Sequence, residues 1–346
     1  MMLDSKDTIR SVDSRNMLAA VETLPKQLLE GLRRGRRVDI SKASVHRVVV
    51  CGVGGSAIGG DLLREWLSVS SSVSCEVLRS YSVPTRMDKD SLVIVASYSG
   101  NTEETLGMFK DARRKRADIV TVTSGGRLMK MAEPGHVPVV TIPTGVQPRA
   151  SLGYMFGAMA GVLEKCGVIA PESQARDTVS VLGKVNAACK PSMPTVKNEA
   201  KILAHRLLPT IPIVIGHGLS APVAKRWANQ FNENSKVMSY CSSLPEFDHN
   251  EIVGWMRDPR ARAFSSVFLN HGADRIMMRR IVATREMLSR AAPVCEVSSI
   301  GRSPMAKMFS LVMLGDYVST YLGILRNEDP STNDPIDELK TALSKK

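Results

Sequence analysis

The amino-acid sequence predicts an α/β protein with two doubly wound parallel sheets in tandem, and two observations support that prediction. Short, continuously apolar, β-branched segments alternate with polar segments of helical length along most of the chain. This alternation is typical of parallel sheets that helices cover on both faces. The opening pattern then occurs a second time from residue 211. The second half is therefore expected to repeat the architecture of the first.

The first half is predicted to contain five strands. An N-terminal helix over residues 14–34 precedes them, and a helix over 150–166 closes this half. The predicted strands are 47–52, 75–79, 91–97, 119–123 and 137–143. The polar-periodic segment 102–113 is predicted to be the helix between the third and fourth strands. Pro171 and Pro194 bracket a helical connector to the second half.

The second half opens with I-P-I-V-I-G-H-G-L-S-A at 211–221, a strand, a G-x-G turn, a serine and a helix start, as in V-V-V-C-G-V-G-G-S-A at 48–57. Further strands are predicted at 262–269 and 293–298, with helices at 273–290 and 303–326. The predicted organisation is a helical segment 1–44, a first subdomain 45–168, a connector 169–208, a second subdomain 209–326 and a C-terminal tail or helix 327–346. A ligand is expected in the cleft between two such halves.

Length and composition limit the class of protein. A chain of 346 residues with 43% apolar content can bury two ordinary cores. No run reaches the roughly 18 apolar residues of a membrane span, and the first residues lack the apolar core of a signal peptide. We therefore expect a soluble, cytoplasmic protein without a membrane partner. Six cysteines without a C-x-x-C pair indicate reduced thiols.

Charge and histidine spacing narrow the possible ligands further. The formal net charge is +12, with basic runs at 33–37 and 113–116, but aromatic residues make up 5% of the chain. Stacking platforms for single-stranded nucleic acid are therefore scarce, and the runs are interpreted as solvated helix faces rather than a nucleic-acid interface. The six histidines are dispersed, without H-x-H or H-E-x-x-H spacing. We expect no metal and no cofactor.

The glycine-rich turn after the first strand raises the question of which anion it holds. A Walker loop is excluded, because no lysine follows the glycines. Gly52-x-Gly54-x-x-Ala57 fits the dinucleotide fingerprint in its alanine variant, and Arg79 near the end of the second strand would meet a 2′-phosphate. An NAD(P)-dependent oxidoreductase therefore remains an alternative at this point.

The end of the third strand favours a single phosphate group instead. Its S-Y-S-G-N-T sequence at 97–102 passes directly into a helix, so Ser97, Ser99 and Thr102 place three hydroxyls beside a helix N-terminus. Free N–H groups and the helix dipole would hold a phosphate there. Helix capping, the simpler structural explanation, would account for one of the three hydroxyls.

Two sets of residues resemble a known family. V-V-V-C-G-V-G-G-S-A (48–57) and S-Y-S-G-N-T-E-E-T (97–105) resemble the sugar isomerase (SIS) domain, a flavodoxin-like α/β unit that binds phosphosugars. Across essentially the whole chain, the order and spacing of four segments resemble the bifunctional phosphoglucose/phosphomannose isomerase family: Q-F-N-E-N-S-K (230–236), P-E-F-D-H-N-E-I-V-G-W (245–255), G-D-Y-V-S-T-Y-L-G-I-L (315–325) and P-I-D-E-L-K (335–340). One position departs from the family pattern: Asp248 precedes the histidine where the family has asparagine.

The resemblance implies reversible isomerisation of glucose 6-phosphate, and of mannose 6-phosphate, to fructose 6-phosphate. Such a reaction needs a base that carries a proton between C1 and C2 through a cis-enediol, and an acid that opens the sugar ring. The family pattern assigns the base to Glu233, on the helix that G-H-G-L-S begins, and ring opening to His249, since imidazole titrates near neutrality. Arg149 would stabilise the enediolate, and Lys340 would assist at the ring oxygen or hydroxyls.

The resemblance also implies substrate contacts and an assembly. It places Gly55 and Ser56 against the sugar and Ser97, Ser99 and Thr102 around the phosphate. It further implies a homodimer in which His249 reaches the partner's site. Two other classes remain as alternatives. A sugar-phosphate-sensing regulator would have no use for Glu233 and His249 together, and an amidotransferase of the glucosamine 6-phosphate type would need an N-terminal cysteine nucleophile.

Overall fold

The computed structural model of the protein describes residues 2–40, 44–84 and 90–344. The chain forms two compact units, each assembled from separate stretches of sequence. The first-sheet unit comprises Thr23–Gly183 and Ile300–Ser310, and the second-sheet unit comprises Met1–Glu22, Lys184–Ser299 and Leu311–Lys346. Each unit contains one parallel sheet. The predicted α/β class with two parallel sheets is therefore confirmed.

Strands and helices alternate along most of both units, but among the described residues no helix lies between the second and third strands. The strands are β1 (Arg47–Cys51), β2 (Ser74–Leu78), β3 (Ser91–Ser97), β4 (Asp118–Thr123), β5 (Val139–Thr141), β6 (Ile211–Gly216), β7 (Tyr240–Ser243), β8 (Phe264–Asn270) and β9 (Val294–Ser298). The α-helices are α1 (Lys6–Val12), α2 (Met17–Glu22), α3 (Leu24–Arg36), α4 (Gly54–Ser70), α5 (Glu103–Arg114), α6 (Gly126–Ala132), α7 (Leu152–Lys165), α8 (Glu172–Cys189), α9 (Glu199–Leu207), α10 (Ala221–Ser235), α11 (Glu251–Arg257), α12 (Arg275–Leu288), α13 (Pro304–Leu325) and α14 (Asp334–Ser344).

The two sheets share one strand order. The first has the order β2-β1-β3-β4-β5, and the second has the order β7-β6-β8-β9. The first is the flavodoxin order, and the second is the same order without its fifth strand. In such a sheet the strand order reverses between the first and third strands of the chain, and ligands bind outside the carboxyl ends of those strands. Ligand-binding residues are therefore expected in the loops that follow β1 and β3 in the first sheet, and β6 and β8 in the second.

The buried strands agree with the predicted segments, whereas two other elements differ from the prediction. The prediction missed β7, an edge strand whose side chains are mostly exposed, because it lacks the apolar run that identifies a covered strand. The single helix predicted over 14–34 is divided into α2 and α3. Pro25 lies in the first turn of α3, where its missing N–H is tolerated but an uninterrupted helix is not.

Acidic side chains neutralise much of both basic runs. Arg36 lies between α7 and α8 and pairs with Glu164 and Glu172. The remaining pairs are Arg33 and Arg34 with Glu30, and Arg114 and Lys115 with Asp111. These pairings support the interpretation of the runs as parts of helix surfaces.

Among the described residues, one helix is long and apolar enough to cross a membrane by length and composition. This helix is α13, and 94% of its most apolar window is buried inside the protein. Its aromatic side chains pack internally: Phe309 packs edge-on against Phe156, and Tyr317 stacks on Tyr321. A helix that is apolar on all sides and covered on all sides is a core helix.

Helices α3 and α7 pack with their backbones in close contact. Glycines line the contact at four-residue spacing, at Gly31 and Gly35 on α3 and at Gly153, Gly157 and Gly161 on α7. A Cβ atom on Gly157 would lie 2.4 Å from the carbonyl oxygen of Leu28, and one on Gly35 would lie 2.2 Å from that of Ala158. The two helices can approach this closely only because these positions lack side chains.

The glycine contact predicts that Gly157→Ala lowers the stability of the first-sheet unit. The added methyl group would force α3 and α7 apart, and overpacking of this kind costs about 1–3 kcal/mol. The matched control is Gly183→Ala in α8, where a Cβ atom would meet nothing within 4 Å and alanine should stabilise the helix by about 1 kcal/mol. Denaturant unfolding measures the change in the free energy of unfolding for both variants. Equal effects of the two substitutions would contradict the packing argument.

Candidate active site

The loops after β1 and β3 meet at the switch point of the first sheet. Ser56, in the first turn of α4, is buried, and its hydroxyl oxygen accepts a hydrogen bond from the backbone N–H of Tyr98 at 3.3 Å. A Cβ atom on Gly55 would lie 3.3 Å from the carbonyl oxygen of Pro148. The residues predicted to contact the sugar, Gly55 and Ser56, therefore lie where the flavodoxin order places a ligand.

The three hydroxyls predicted to bind phosphate form one turn after β3. Ser97 and Thr102 are joined by a hydrogen bond of 3.1 Å between their hydroxyls. The N–H of Gly100 donates to the Ser97 hydroxyl at 3.1 Å, and that of Asn101 donates to the Ser99 hydroxyl at 3.2 Å. Thr102 is the N-cap residue of α5, yet its side chain does not cap the helix. Helix capping thus explains none of the three hydroxyls.

Electrostatics at this turn favour recognition by hydrogen bonds. The first N–H groups of α5 have no partner inside the helix and point towards its N-terminal end. Glu103 and Glu104 lie in the same first turn, and their carboxylates already complement the helix dipole. An anion here would depend on amide and hydroxyl donors rather than on an excess of positive charge.

Two glycines fix the shape of this turn. Gly100 has a φ of +67°, and a Cβ atom there would lie 1.8 Å from the carbonyl oxygen of Gly125. Gly126 has a φ of +73°, and its Cβ atom would lie 2.3 Å from the carbonyl oxygen of Ser99. Both positions require glycine for conformation and for space. The hydroxyl turn is therefore held against the loop that follows β4.

Arg149 lies in a short 3₁₀ helix, Pro148–Ser151, and is 4% exposed. Arg149 is therefore buried and is not a solvated arginine on the surface. Tyr98 ties this segment to the end of β3, because its phenolic oxygen accepts a hydrogen bond from the N–H of Val146 at 3.2 Å. Burial raises the pKa of Tyr98. The sequence analysis did not identify Tyr98 as part of the site. Its position between Ser97 and Ser99 could have indicated that it lies there.

The cation expected for a dinucleotide is already engaged. Arg79 forms an ion pair with Asp61, whose side chain is 5% exposed. Arg64 lies 3.9 Å from the same carboxylate, but separating Arg79 would remove the nearer cation from a buried carboxylate, which is costly. Arg79 is therefore poorly suited to meet a 2′-phosphate, and the oxidoreductase alternative loses its supporting cation.

In the second-sheet unit, Glu233 lies in the last turn of α10, the helix that G-H-G-L-S begins, and is half-buried. The side chains around it form a framework. Asn232 donates to the carbonyl oxygens of Ala228 and Ser239, both at 2.8 Å. Asn234 donates to the Ser319 hydroxyl at 3.0 Å, and Ser235 donates to the carbonyl oxygen of Ser319 at 2.6 Å. The helix end that carries Glu233 is thus bonded to α13.

Lys236 completes the N-E-N-S-K framework. Its ammonium donates to the carbonyl oxygens of Glu233 and Asp329 at 2.7 Å each, and to that of Thr332 at 3.0 Å. The residue itself ends α10 in the left-handed conformation. The side chains of Asn232, Asn234, Ser235 and Lys236 therefore all bond within the second-sheet unit. In this motif, the sequence analysis assigned a role only to Glu233.

His249 is exposed at the end of a 3₁₀ turn, Glu246–His249, and the residues before it anchor the turn. Phe247 is fully buried. The carboxylate of Asp248, the residue that departs from the family pattern, accepts hydrogen bonds from Arg280 and Thr284 of α12, both at 2.8 Å. Asp248 thus bonds to α12, and it fixes the turn that presents the histidine.

Lys340 lies on an exposed face of α14, where its ammonium is 3.3 Å from the carboxylate of Asp337. Among the described residues, no hydrogen bond or ion pair joins it to Glu233 or His249. The structure therefore brings Gly55, Ser56, Ser97, Thr102 and the Arg149 segment together within the first-sheet unit. Lys340 is not joined to the other predicted residues of its own unit.

Comparison with known proteins identifies the family. The sequence profile of the bacterial phospho-glucose isomerase C-terminal SIS domain matches residues 196–343. A bifunctional phosphoglucose/phosphomannose isomerase of Caldicellulosiruptor bescii is 38% identical over 335 residues, which cover 95% of this chain and 99% of that protein. The chain belongs to the bifunctional phosphoglucose/phosphomannose isomerase family. A member from Aquifex aeolicus is 34% identical over 86% of this chain and 90% of its own.

A solved structure shares the fold of this chain along nearly its whole length. A hypothetical protein of Thermus thermophilus superposes with a TM-score of 0.74, covers 98% of this chain and 93% of its own, and is 18% identical. Within the described ranges, no group of three or more histidine, cysteine, aspartate or glutamate side chains is arranged to hold a metal ion.

The bonds of Asp248 predict that Asp248→Asn loosens the His249 turn in this isomerase family member. Asparagine keeps the size of the side chain but loses the charge that pairs with Arg280, so the free energy of unfolding should fall by about 1 kcal/mol. Proteolysis at 246–251 should become faster. Asp258→Asn is the control, because Asp258 pairs with Arg260 on the exposed surface, and surface pairs contribute little. A similar response of the two variants would show that Asp248 does not anchor the turn.

Proposed function

We propose that the protein catalyses the reversible isomerisation of glucose 6-phosphate to fructose 6-phosphate and also accepts mannose 6-phosphate. The observation that carries this proposal is the 38% identity to the Caldicellulosiruptor bescii bifunctional isomerase over 95% of the chain. The uncapped hydroxyl turn at the switch point of the first sheet supports it, since such a turn offers the donors that a phosphate monoester needs.

The hydroxyl turn would bind the phosphate through protons that its internal bonds leave available. Ser99 uses its oxygen to accept from Asn101, so its O–H can donate to a phosphate oxygen. In the Ser97–Thr102 pair one hydroxyl donates to the other, which leaves one further proton. Gly55 and Ser56 would contact the sugar. Arg149, already desolvated, would stabilise the charge of the enediolate.

The proposed proton transfers use residues of the second-sheet unit. Glu233 would remove the proton from C2 of the aldose and return it to C1, through a cis-enediol. His249 would open the sugar ring, because an imidazole has ring nitrogens that can donate and accept a proton. Lys340 would assist at the ring oxygen or hydroxyls. These steps require neither a metal ion nor a cofactor.

We also propose that the active protein is a homodimer in which His249 acts in the partner's site. Two features of the turn support this arrangement. His249 is exposed, so its ring is accessible to a second chain. Phe247 and Asp248 anchor the turn, so the backbone position from which the ring projects is fixed.

The proposed function predicts that the purified protein forms fructose 6-phosphate from both aldose phosphates, with undiminished turnover in EDTA. A coupled assay that detects fructose 6-phosphate measures this directly. Binding of the sugar phosphate without any turnover would instead indicate the sensing class. Loss of activity in EDTA with recovery on addition of zinc would contradict the metal-independent mechanism.

The proposed base predicts that Glu233→Gln lowers kcat by ~10² or more while KM changes little, because glutamine keeps the shape and hydrogen bonding but not the basicity. Glu286→Gln, which changes an exposed glutamate of α12, is the control and should retain wild-type kcat. Near wild-type turnover of Glu233→Gln would exclude this role.

The proposed shared site predicts complementation between two inactive variants. When Glu233→Gln and His249→Ala dimers exchange subunits, one of the two sites in each mixed dimer should combine an intact Glu233 with an intact His249. Activity should therefore appear on mixing. A mixture that exchanges subunits, as mass spectrometry would show, and yet remains as inactive as its parents would exclude the shared arrangement.

A further inference from the structure

We propose that Lys236 is a positioning residue for the isomerisation, holding the main chain of Glu233 at a fixed distance from the segment 329–332. The inference rests on the proposed role of Glu233 as the base. It concerns how this chain keeps that base in place, and it assigns a task to the last residue of N-E-N-S-K.

Three carbonyl oxygens surround the ammonium group of Lys236. The Nζ atom of Lys236 lies 2.7 Å from the carbonyl oxygen of Glu233, 2.7 Å from that of Asp329 and 3.0 Å from that of Thr332. An ammonium has three donors, and these three carbonyl oxygens lie within hydrogen-bond distance of it. Since two of these partners lie far along the chain, Lys236 connects the end of α10 to the segment before α14.

The Lys236 ammonium donates to a carbonyl group in the last turn of α10, where carbonyl groups lack helical partners. The last carbonyls of a helix have no intrahelical N–H donor, and a cation at this end interacts favourably with the dipole. The guanidinium of Arg326 donates to the neighbouring carbonyl of Ser235 at 3.0 Å. The last turn of α10 is therefore held through main-chain carbonyl groups.

The backbone conformation of Lys236 does not explain why this residue is a lysine. Lys236 has a φ of +51° and a ψ of +36°, and its N–H donates to the carbonyl oxygen of Phe231. Glycine adopts this left-handed conformation more easily than any residue with a side chain. The backbone would thus favour glycine here, and what lysine adds is the three-carbonyl contact.

The segment at the other end of the contact is itself fixed. The carboxylate of Asp329 accepts hydrogen bonds from the N–H of Ser331 at 2.8 Å and from the Ser14 hydroxyl at 2.5 Å. Lys236 therefore joins the turn of the base to a segment that has its own supports. Small displacements of a catalytic group can reduce turnover by up to about 10²-fold, so a support of this kind bears on kcat rather than on substrate binding.

The test compares Lys236→Met, Lys236→Gly and Lys236→Arg with a matched control. Arg116→Gly changes an exposed residue after α5 that has a φ of +56°, so it gives the same backbone relief without the contact. We expect Lys236→Met and Lys236→Gly to lower kcat by ~10-fold or more at unchanged KM. The isotope effect with glucose 6-phosphate deuterated at C2 should rise, because proton transfer becomes slower. Lys236→Arg keeps hydrogen-bond donors, so its kcat should lie between that of the wild type and that of Lys236→Met. Arg116→Gly should have the kcat of the wild type.

The outcomes distinguish this inference from the proposed function. If the wild type shows no isomerisation, the proposed function fails, and the positioning role fails with it. If the wild type is active while Lys236→Met and Lys236→Gly keep its kcat per folded molecule and its isotope effect, the positioning role alone is overturned, whatever happens to Tm. Lys236→Gly keeps the test valid if Lys236→Met does not fold, since glycine relieves the backbone. A change confined to KM would also overturn the inference.

Discussion

Both sheets are parallel throughout, and this single constraint organises the rest of the structure. A parallel sheet must be covered on both faces. Because its strands all run in one direction, the loops that follow them emerge at one edge of the sheet. In the first-sheet unit, that edge brings the loops after β1 and β3 together, where Ser56 bonds to the backbone of Tyr98. The hydroxyls, glycines and the Arg149 segment lie around that meeting point because the topology leaves open backbone there.

The same constraint explains which parts of the fold could be predicted from sequence. Strands such as β1 and β3 are buried along almost their whole length, so their continuous apolar character was sufficient to locate them. The edge strand β7 has exposed side chains and gives no such signal. The predicted helix over 14–34 failed at Pro25, because apolar periodicity continues across a proline while the backbone hydrogen bonds do not.

The candidate site divides in the same way. Hydroxyls next to a helix start could be located from sequence, and family resemblance supplied Glu233, His249, Arg149 and Lys340. The supporting contacts could not be found, because their partners are distant in sequence: Asn234 and Ser235 bond to Ser319, and Lys236 bonds to Asp329 and Thr332. In N-E-N-S-K, most of the sequence signal therefore reflects packing of a helix end. Only a structure separates those residues from the one proposed to carry the proton.

The two halves share a strand order but treat their equivalent helix starts differently. After β3, the N-cap residue Thr102 leaves the start of α5 without a side-chain cap. After β8, the equivalent helix α12 is capped by Asp274, whose carboxylate accepts a hydrogen bond from the N–H of Met277 at 2.8 Å. A carboxylate in that position supplies the negative charge that a bound anion would otherwise provide. The carboxylate of Asp274 therefore disfavours an anion site at the equivalent position of the second sheet. The proposed base, Glu233, lies instead at the opposite end of a helix, in the last turn of α10.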